Sequence, residues 1–177
     1  MSGVEKRNIV LCGFMAVGKS SVGKRLAAMV GYDFLDLDAA IEAEAGMPIP
    51  QIFSSRGEPA FRALESRMVE RVTRKAGCVI ATGGGTIADP QNLESLKRCG
   101  VLVTLTADIQ TILLRIGRGD DRPMLREGNR LEQIRTLMEQ RTQAYAQAHI
   151  VLDTSSLSID EVAHDLVRRL REFGVSL

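Results

Sequence analysis

Eight residues near the amino terminus carry the densest chemistry in this sequence: Gly13-Phe14-Met15-Ala16-Val17-Gly18-Lys19-Ser20. They match the pattern G-x-x-x-x-G-K-[ST]. They also lie between an apolar run at 8–12 and a stretch of helical spacing at 19–30, which is the context in which this pattern binds phosphate. Glycines let a backbone wrap an anion with several N–H groups pointing inward. The positive end of the following helix adds to the field. Lys19 is suited to bridge β- and γ-phosphates, and the Ser20 hydroxyl to ligate Mg²⁺. Ala16 stands where many such loops carry a third glycine, and a positive φ there would cost an alanine about 1 kcal/mol.

A phosphate loop of this kind commonly works with an acid at the end of a later strand. The apolar run 79–81 leads into Thr82 and glycines and carries no acid. Asp36 and Asp38, on either side of Leu37, are the next candidates, and strand alternation would put both on one face. One is suited to serve Mg²⁺ through a water, the other to orient a substrate hydroxyl and accept its proton. The competing reading has Asp38 capping a helix over 39–45.

Three arginines are candidate anion donors: Arg62 on a charged amphipathic stretch at 58–74, Arg122 in a polar break at 118–128, and Arg141 in a long helical stretch at 129–148. The polar break reads as a lid, whose arginine would stabilise charge on a transferred phosphoryl group. The alternative for Arg122 is a surface pair with Asp120 or Asp121. Gly83-Gly84-Gly85 after a strand permits close backbone approach to a ligand, and Arg115 is placed either against an adenine ring or in solvent.

The elements that must position these residues alternate. Predicted strands at 8–12, 34–36, 78–81, 101–106 and 150–153 are separated by helical patterns at 19–30, 38–45, 58–74, 91–98, 108–117 and 129–148, with a last helix at 158–173. That order predicts an α/β fold: a five-stranded parallel sheet with helices on both faces and its ligand site at the carboxyl ends of the strands. The 177 residues suit one domain, and 45% hydrophobic with 25% charged residues excludes wholesale disorder. A formal net charge of +1 argues against a partner that is nucleic acid or an acidic membrane. No apolar stretch approaches the roughly 20 residues of a membrane span, and residues 1–8 are too polar for a signal peptide.

Cys12, Cys78 and Cys99 have no metal-like spacing and read as reduced thiols in a cytoplasmic protein, the first two as small core residues. His149 and His164 are isolated from each other and from any cysteine, so neither a metal pair nor a catalytic dyad is expected of them. The seven methionines, Met15 among them, are scattered and read mostly as core filler.

Taken in order, these motifs resemble the shikimate kinase family within the nucleoside-monophosphate-kinase-like P-loop fold. The resemblance runs from about residue 8 to residue 170. It rests on the phosphate loop, Phe34-Leu35-Asp36-Leu37-Asp38 followed by Ile41-Glu42, Phe61-Arg62 with Glu65, the glycine run, Arg122-Pro123-Met124-Leu125, and Arg141 upstream of Tyr145. It implies transfer of the ATP γ-phosphate to the 3-hydroxyl of shikimate by a single P-loop kinase domain, with a substrate-binding helical segment near 38–65 and a lid near 118–128. Lys19, Asp38 and Arg122 would be catalytic. ATP would be held by Ala16, Val17, Gly18, Lys19, Ser20 and Ser21 with Arg115 and Arg122. Shikimate would be bound by Asp38, Arg62, Gly84 and Arg141, with Phe53 and Phe61 lining its pocket, and Mg²⁺ by Ser20 and Asp36. A cytoplasmic monomer is expected. Ala16, Met124 and a compact lid depart from the common pattern, and 154–157 carries no recognisable adenine signature. The competing readings are a P-loop kinase of another small hydroxy or sugar acid, such as gluconate, and a non-catalytic relative that keeps the fold.

Overall fold

The computed structural model describes residues 7–116 and 129–177. Arg122 and the expected lid at 118–128 therefore lie outside the described residues. Five strands, β1 (Asn8–Gly13), β2 (Asp33–Asp36), β3 (Cys78–Ala81), β4 (Gly100–Thr106) and β5 (Ile150–Asp153), form one parallel sheet in the order β2-β3-β1-β4-β5. The helices are α1 (Lys19–Val30), α2 (Leu37–Ala45), α3 (Ile49–Val72), α4 (Pro90–Cys99), α5 (Ile109–Ile116), α6 (Arg130–Tyr145) and α7 (Ile159–Glu172), with a 3-10 turn at Thr86–Ala88. β1 has β3 on one side and β4 on the other. Strand order reverses there, which opens a crevice at the carboxyl end of β1, where the phosphate loop begins.

Alternation along the central strands divides the core between the two faces. Ile9, Leu11, Val79, Val101, Val103 and Leu105 pack with residues of α1 and α7. Val10, Cys12, Ile80 and Leu102 pack with residues of α2, α3 and α4. The central strands β1 and β3 are buried throughout, whereas β5 buries Ile150 and Leu152 and exposes Val151 and Asp153, as an edge strand does. Side chains start the helices where the sequence supplies them. Asp89 caps α4, and Ser158 with Glu161 closes a capping box on α7.

Two expectations change. The helix expected over 58–74 begins nine residues earlier, at Ile49, and is interrupted at Gly57 (φ 80°), just before Pro59. The stop of the preceding helix near Gly46 and Pro48 holds, but Pro48 is also the N-cap of the next helix and Pro50 lies in its first turn, where the missing N–H costs nothing. The other change concerns the acids. β2 ends at Asp36, so strand alternation does not place Asp38, which lies in the first turn of α2. The cap of α2 is Asp36, whose Oδ1 accepts from the N–H groups of Asp38 (3.0 Å) and Ala39 (3.3 Å).

His149 joins β4 to the edge strand at both ends of one residue. Its N–H donates to the Leu102 carbonyl, and its Nδ1 accepts from the Leu102 N–H, each at 2.9 Å. Partial burial and the nearby charges of Arg7 and Lys97 lower its pKa below the usual 6.5. The unfolded chain therefore binds a proton more readily than the folded one, so this contribution is present above about pH 6.5 and is lost as pH falls through the folded-state value. His149→Asn keeps an acceptor of similar reach without titrating. Its melting temperature is expected to fall less than the parent's between about pH 7 and pH 5, as measured by thermal denaturation.

Candidate functional site

The phosphate loop takes conformations that its sequence permits only in part. Gly13 (φ 134°) and Gly18 (φ 97°) lie in the left-handed half of the map, and a Cβ on Gly13 would stand 2.1 Å from the Leu105 carbonyl oxygen. Ala16 also has a positive φ, 60°, the only non-glycine residue among those described to do so. The loop thus carries a local strain of about 1–2 kcal/mol at that position. Lys19 Nζ reaches back over the loop to donate to the carbonyl oxygens of Gly13 (3.0 Å) and Phe14 (2.8 Å). Val17 is buried, while Ser20 and Ser21 lie exposed in the first turn of α1.

Behind the loop, Thr154 and Arg115 act as a brace. The buried Thr154 hydroxyl lies 3.0 Å from the carbonyl oxygens of both Val17 and Thr106, and it accepts from Arg115 Nη1 at 3.0 Å. Arg115 also donates to the carbonyls of Thr154 (2.7 Å) and Ala16 (3.3 Å). Arg115 is therefore beside the loop but anchored by protein groups. Thr154 escaped the sequence reading because a lone threonine after a strand carries no pattern.

Ser20 Oγ donates to Asp36 Oδ2 at 2.5 Å. Asp36 is level with Ala81 in the β2–β3 ladder, so the acid missing from the end of β3 is supplied one strand further out. A hydroxyl and a carboxylate are hard oxygen donors, the kind Mg²⁺ takes alongside waters and substrate phosphates. The pair fits that ion.

The glycine run is the floor on which the remaining candidates meet. A methyl placed on Gly83 would stand 2.8 Å from Asp38 Oδ1, 3.0 Å from Thr86 Oγ1 and 3.1 Å from Glu65 Oε1. One on Gly84 would stand 3.3 Å from Arg141 Nη1 and 3.5 Å from the Met15 backbone nitrogen, and one on Gly85 would stand 3.0 Å from both terminal nitrogens of Arg62. Neighbouring Cα atoms are about 3.8 Å apart, so an acid, two guanidinium groups and the phosphate loop converge on three consecutive residues. None of the three has a positive φ, so the requirement is for space and not for an unusual backbone.

Each guanidinium is held by its own partners. Arg62 donates to Glu65 Oε2 (2.8 Å) and to Glu58 Oε1 (3.1 Å from Nη2). Burial alone would lower its pKa, but Glu65 and then Glu58 outweigh it, and the pKa is raised. Glu65 is only 2% exposed, and its other oxygen accepts from Thr86 Oγ1 at 2.6 Å. Arg141 is buried, with its guanidinium 5.7 Å from the centroid of the Phe14 ring in the phosphate loop. Phe53 and Phe61 pack ring to ring at 4.8 Å, and Arg62 lies over Phe61. The support given by Glu65 and Thr86 was not read from the sequence, although Glu65 lies one helical turn from Arg62. Cys12, pushed up to about 11 chiefly by burial, stays a thiol beneath the loop.

This arrangement suits two adjacent ligands, a polyphosphate and a small acid bearing hydroxyls. Comparisons with known proteins agree with it. The sequence model of the shikimate kinase family matches residues 15–171. The shikimate kinase of Geobacter metallireducens is 42% identical over 160 residues, 90% of this chain and 89% of that protein. The structure of shikimate kinase from Acinetobacter baumannii in complex with shikimate has a TM-score of 0.92 at 34% identity and covers 97% of this chain and 96% of its own. That of Aquifex aeolicus shikimate kinase has a TM-score of 0.84 at 32% identity, covering 95% and 98%. With a family match over most of its length and a phosphate loop set against two guanidinium groups, the chain belongs to the shikimate kinase family, whose members are ATP-dependent kinases.

Proposed function

We propose that residues 1–177 act as one kinase domain that moves the γ-phosphate of ATP to the 3-hydroxyl of shikimate across the Gly83–Gly85 floor. The observation that carries this reading is the meeting of Asp38, Arg62, Arg141 and the loop residue Met15 on that floor. The triphosphate lies in the loop over Ala16, Val17, Gly18, Lys19, Ser20 and Ser21, with N–H groups of the α1 terminus and the Lys19 ammonium facing its oxygens. Arg115 stands beside adenine, and Arg122, outside the described residues, is assigned to the phosphates by the resemblance alone. Forked donors from Arg62 and Arg141, with the Gly84 backbone, hold the shikimate carboxylate. Asp38 orients the 3-hydroxyl and takes its proton as the oxygen–phosphorus bond forms and the bond to ADP breaks.

Ser20 and Asp36 would hold Mg²⁺, which when bound neutralises charge on the phosphate oxygens. All of these residues come from one chain, which supports a monomer as the working unit. The free thiols Cys12, Cys78 and Cys99 support a cytoplasmic location.

A coupled assay of ADP release with ATP, Mg²⁺ and shikimate tests the reading. Turnover of shikimate is expected, and a folded protein that ignores it or prefers gluconate would refute the assignment. Arg62→Ala is expected to raise the KM for shikimate on the order of tenfold to a hundredfold, the loss of a charged hydrogen-bonding pair, while the KM for ATP stays within about twofold; initial-rate kinetics in both substrates check this. Lys19→Ala should lower kcat by about two to three orders of magnitude, as removal of a charge stabiliser does. Asp36→Asn keeps the α2 cap but removes the charge. The Mg²⁺ concentration for half-maximal rate should rise on the order of tenfold, with an unchanged melting temperature.

A further inference from the structure

Helix α6 brings two side chains to the glycine floor, Arg141 and, one turn later, Tyr145. The Tyr145 hydroxyl donates to the Gly84 carbonyl at 2.6 Å, and the Arg141 guanidinium lies against the same glycine, its Nη1 3.3 Å from where a Gly84 methyl would stand. A phenol has one proton, and here the Gly84 carbonyl takes it. The residue is also held from its other end, where its backbone carbonyl accepts from Thr104 Oγ1 at 2.9 Å. Its ring packs against both core clusters.

We propose that Tyr145 is a positioning residue for the acid-binding end of the site, its hydroxyl holding the Gly84 carbonyl so that the glycine floor meets the substrate carboxylate beside Arg141. This rests on the assignment of Arg141 and Gly84 to the carboxylate made above. The bond given to the Gly84 carbonyl fixes the Gly84–Gly85 peptide plane and with it the direction of the Gly85 N–H, since carbonyl and N–H in a trans peptide are rigidly opposed. Burial pushes the phenol up to about 12, so it remains a donor at any pH at which the enzyme works.

Tyr145→Phe keeps the ring and removes the bond to Gly84. Its KM and Kd for shikimate are expected to rise on the order of tenfold, while kcat, the KM for ATP and the melting temperature change little. In the double variant with Arg141→Ala, the second substitution should add almost nothing to the first. A collapse in melting temperature, equal losses in both substrates, an unchanged shikimate KM, or additive losses in the double variant would each overturn the proposal. If Arg141→Ala alone leaves shikimate binding intact, the underlying carboxylate assignment fails instead. If Arg141→Ala weakens it and Tyr145→Phe does not, only the role of Tyr145 fails.

Discussion

The site depends on a stretch of chain with no side chains. At Gly83, Gly84 and Gly85 even a single methyl group would crowd an acid, a buried guanidinium and a half-buried one in turn. Three functional groups from α2, α3 and α6 can share one small space only because the floor beneath them is bare backbone. The parallel sheet sets where that floor lies. β3 sits beside β1, so its end emerges next to the phosphate loop, and Thr82 N–H still bonds across to the Leu11 carbonyl before the chain turns away.

Around this floor, charge is held in place by charge. Glu65 is almost wholly buried, a costly place for a carboxylate unless every lone pair is used. One oxygen takes the Thr86 hydroxyl and the other Arg62, so the acid links the 3-10 turn after the glycines to the arginine above them. Among the described residues, no acid pairs with Arg141 in the same way. It has the Phe14 ring and the Tyr145 phenol, neither of which cancels its charge. The two arginines thus differ in kind. One is already neutralised and oriented, while the other keeps a larger share of its field for an incoming anion.

Much of this was legible in the residues themselves. The phosphate loop could be read because its glycines, lysine and serine are neighbours. The strands and their parallel pairing could be read because short apolar runs alternate with helices, whereas the order β2-β3-β1-β4-β5 came only with the tertiary structure. The positive φ at Ala16 followed from the loop's shape. The reading of Asp36 and Asp38 as one face of a strand failed because the chain starts a helix between them. Asp36 spends one oxygen on the cap and turns the other to Ser20, whereas Asp38 turns towards Gly83. The helix before Gly57 was hidden by prolines, which mark a helix start or a helix stop depending on which residues follow.

The sequence by itself determined what depends on neighbours and on periodicity: the anion-binding loop, the sheet class, the bare glycine turn and the set of charged candidates. Tertiary structure alone decided who faces whom. Glu65 and Thr86 are 21 residues apart, Arg115 and Thr154 are 39 apart, and Tyr145 and Gly84 are 61 apart. No spacing rule reaches across such intervals, because these contacts exist only after burial of the core has fixed which helix lies over which strand end.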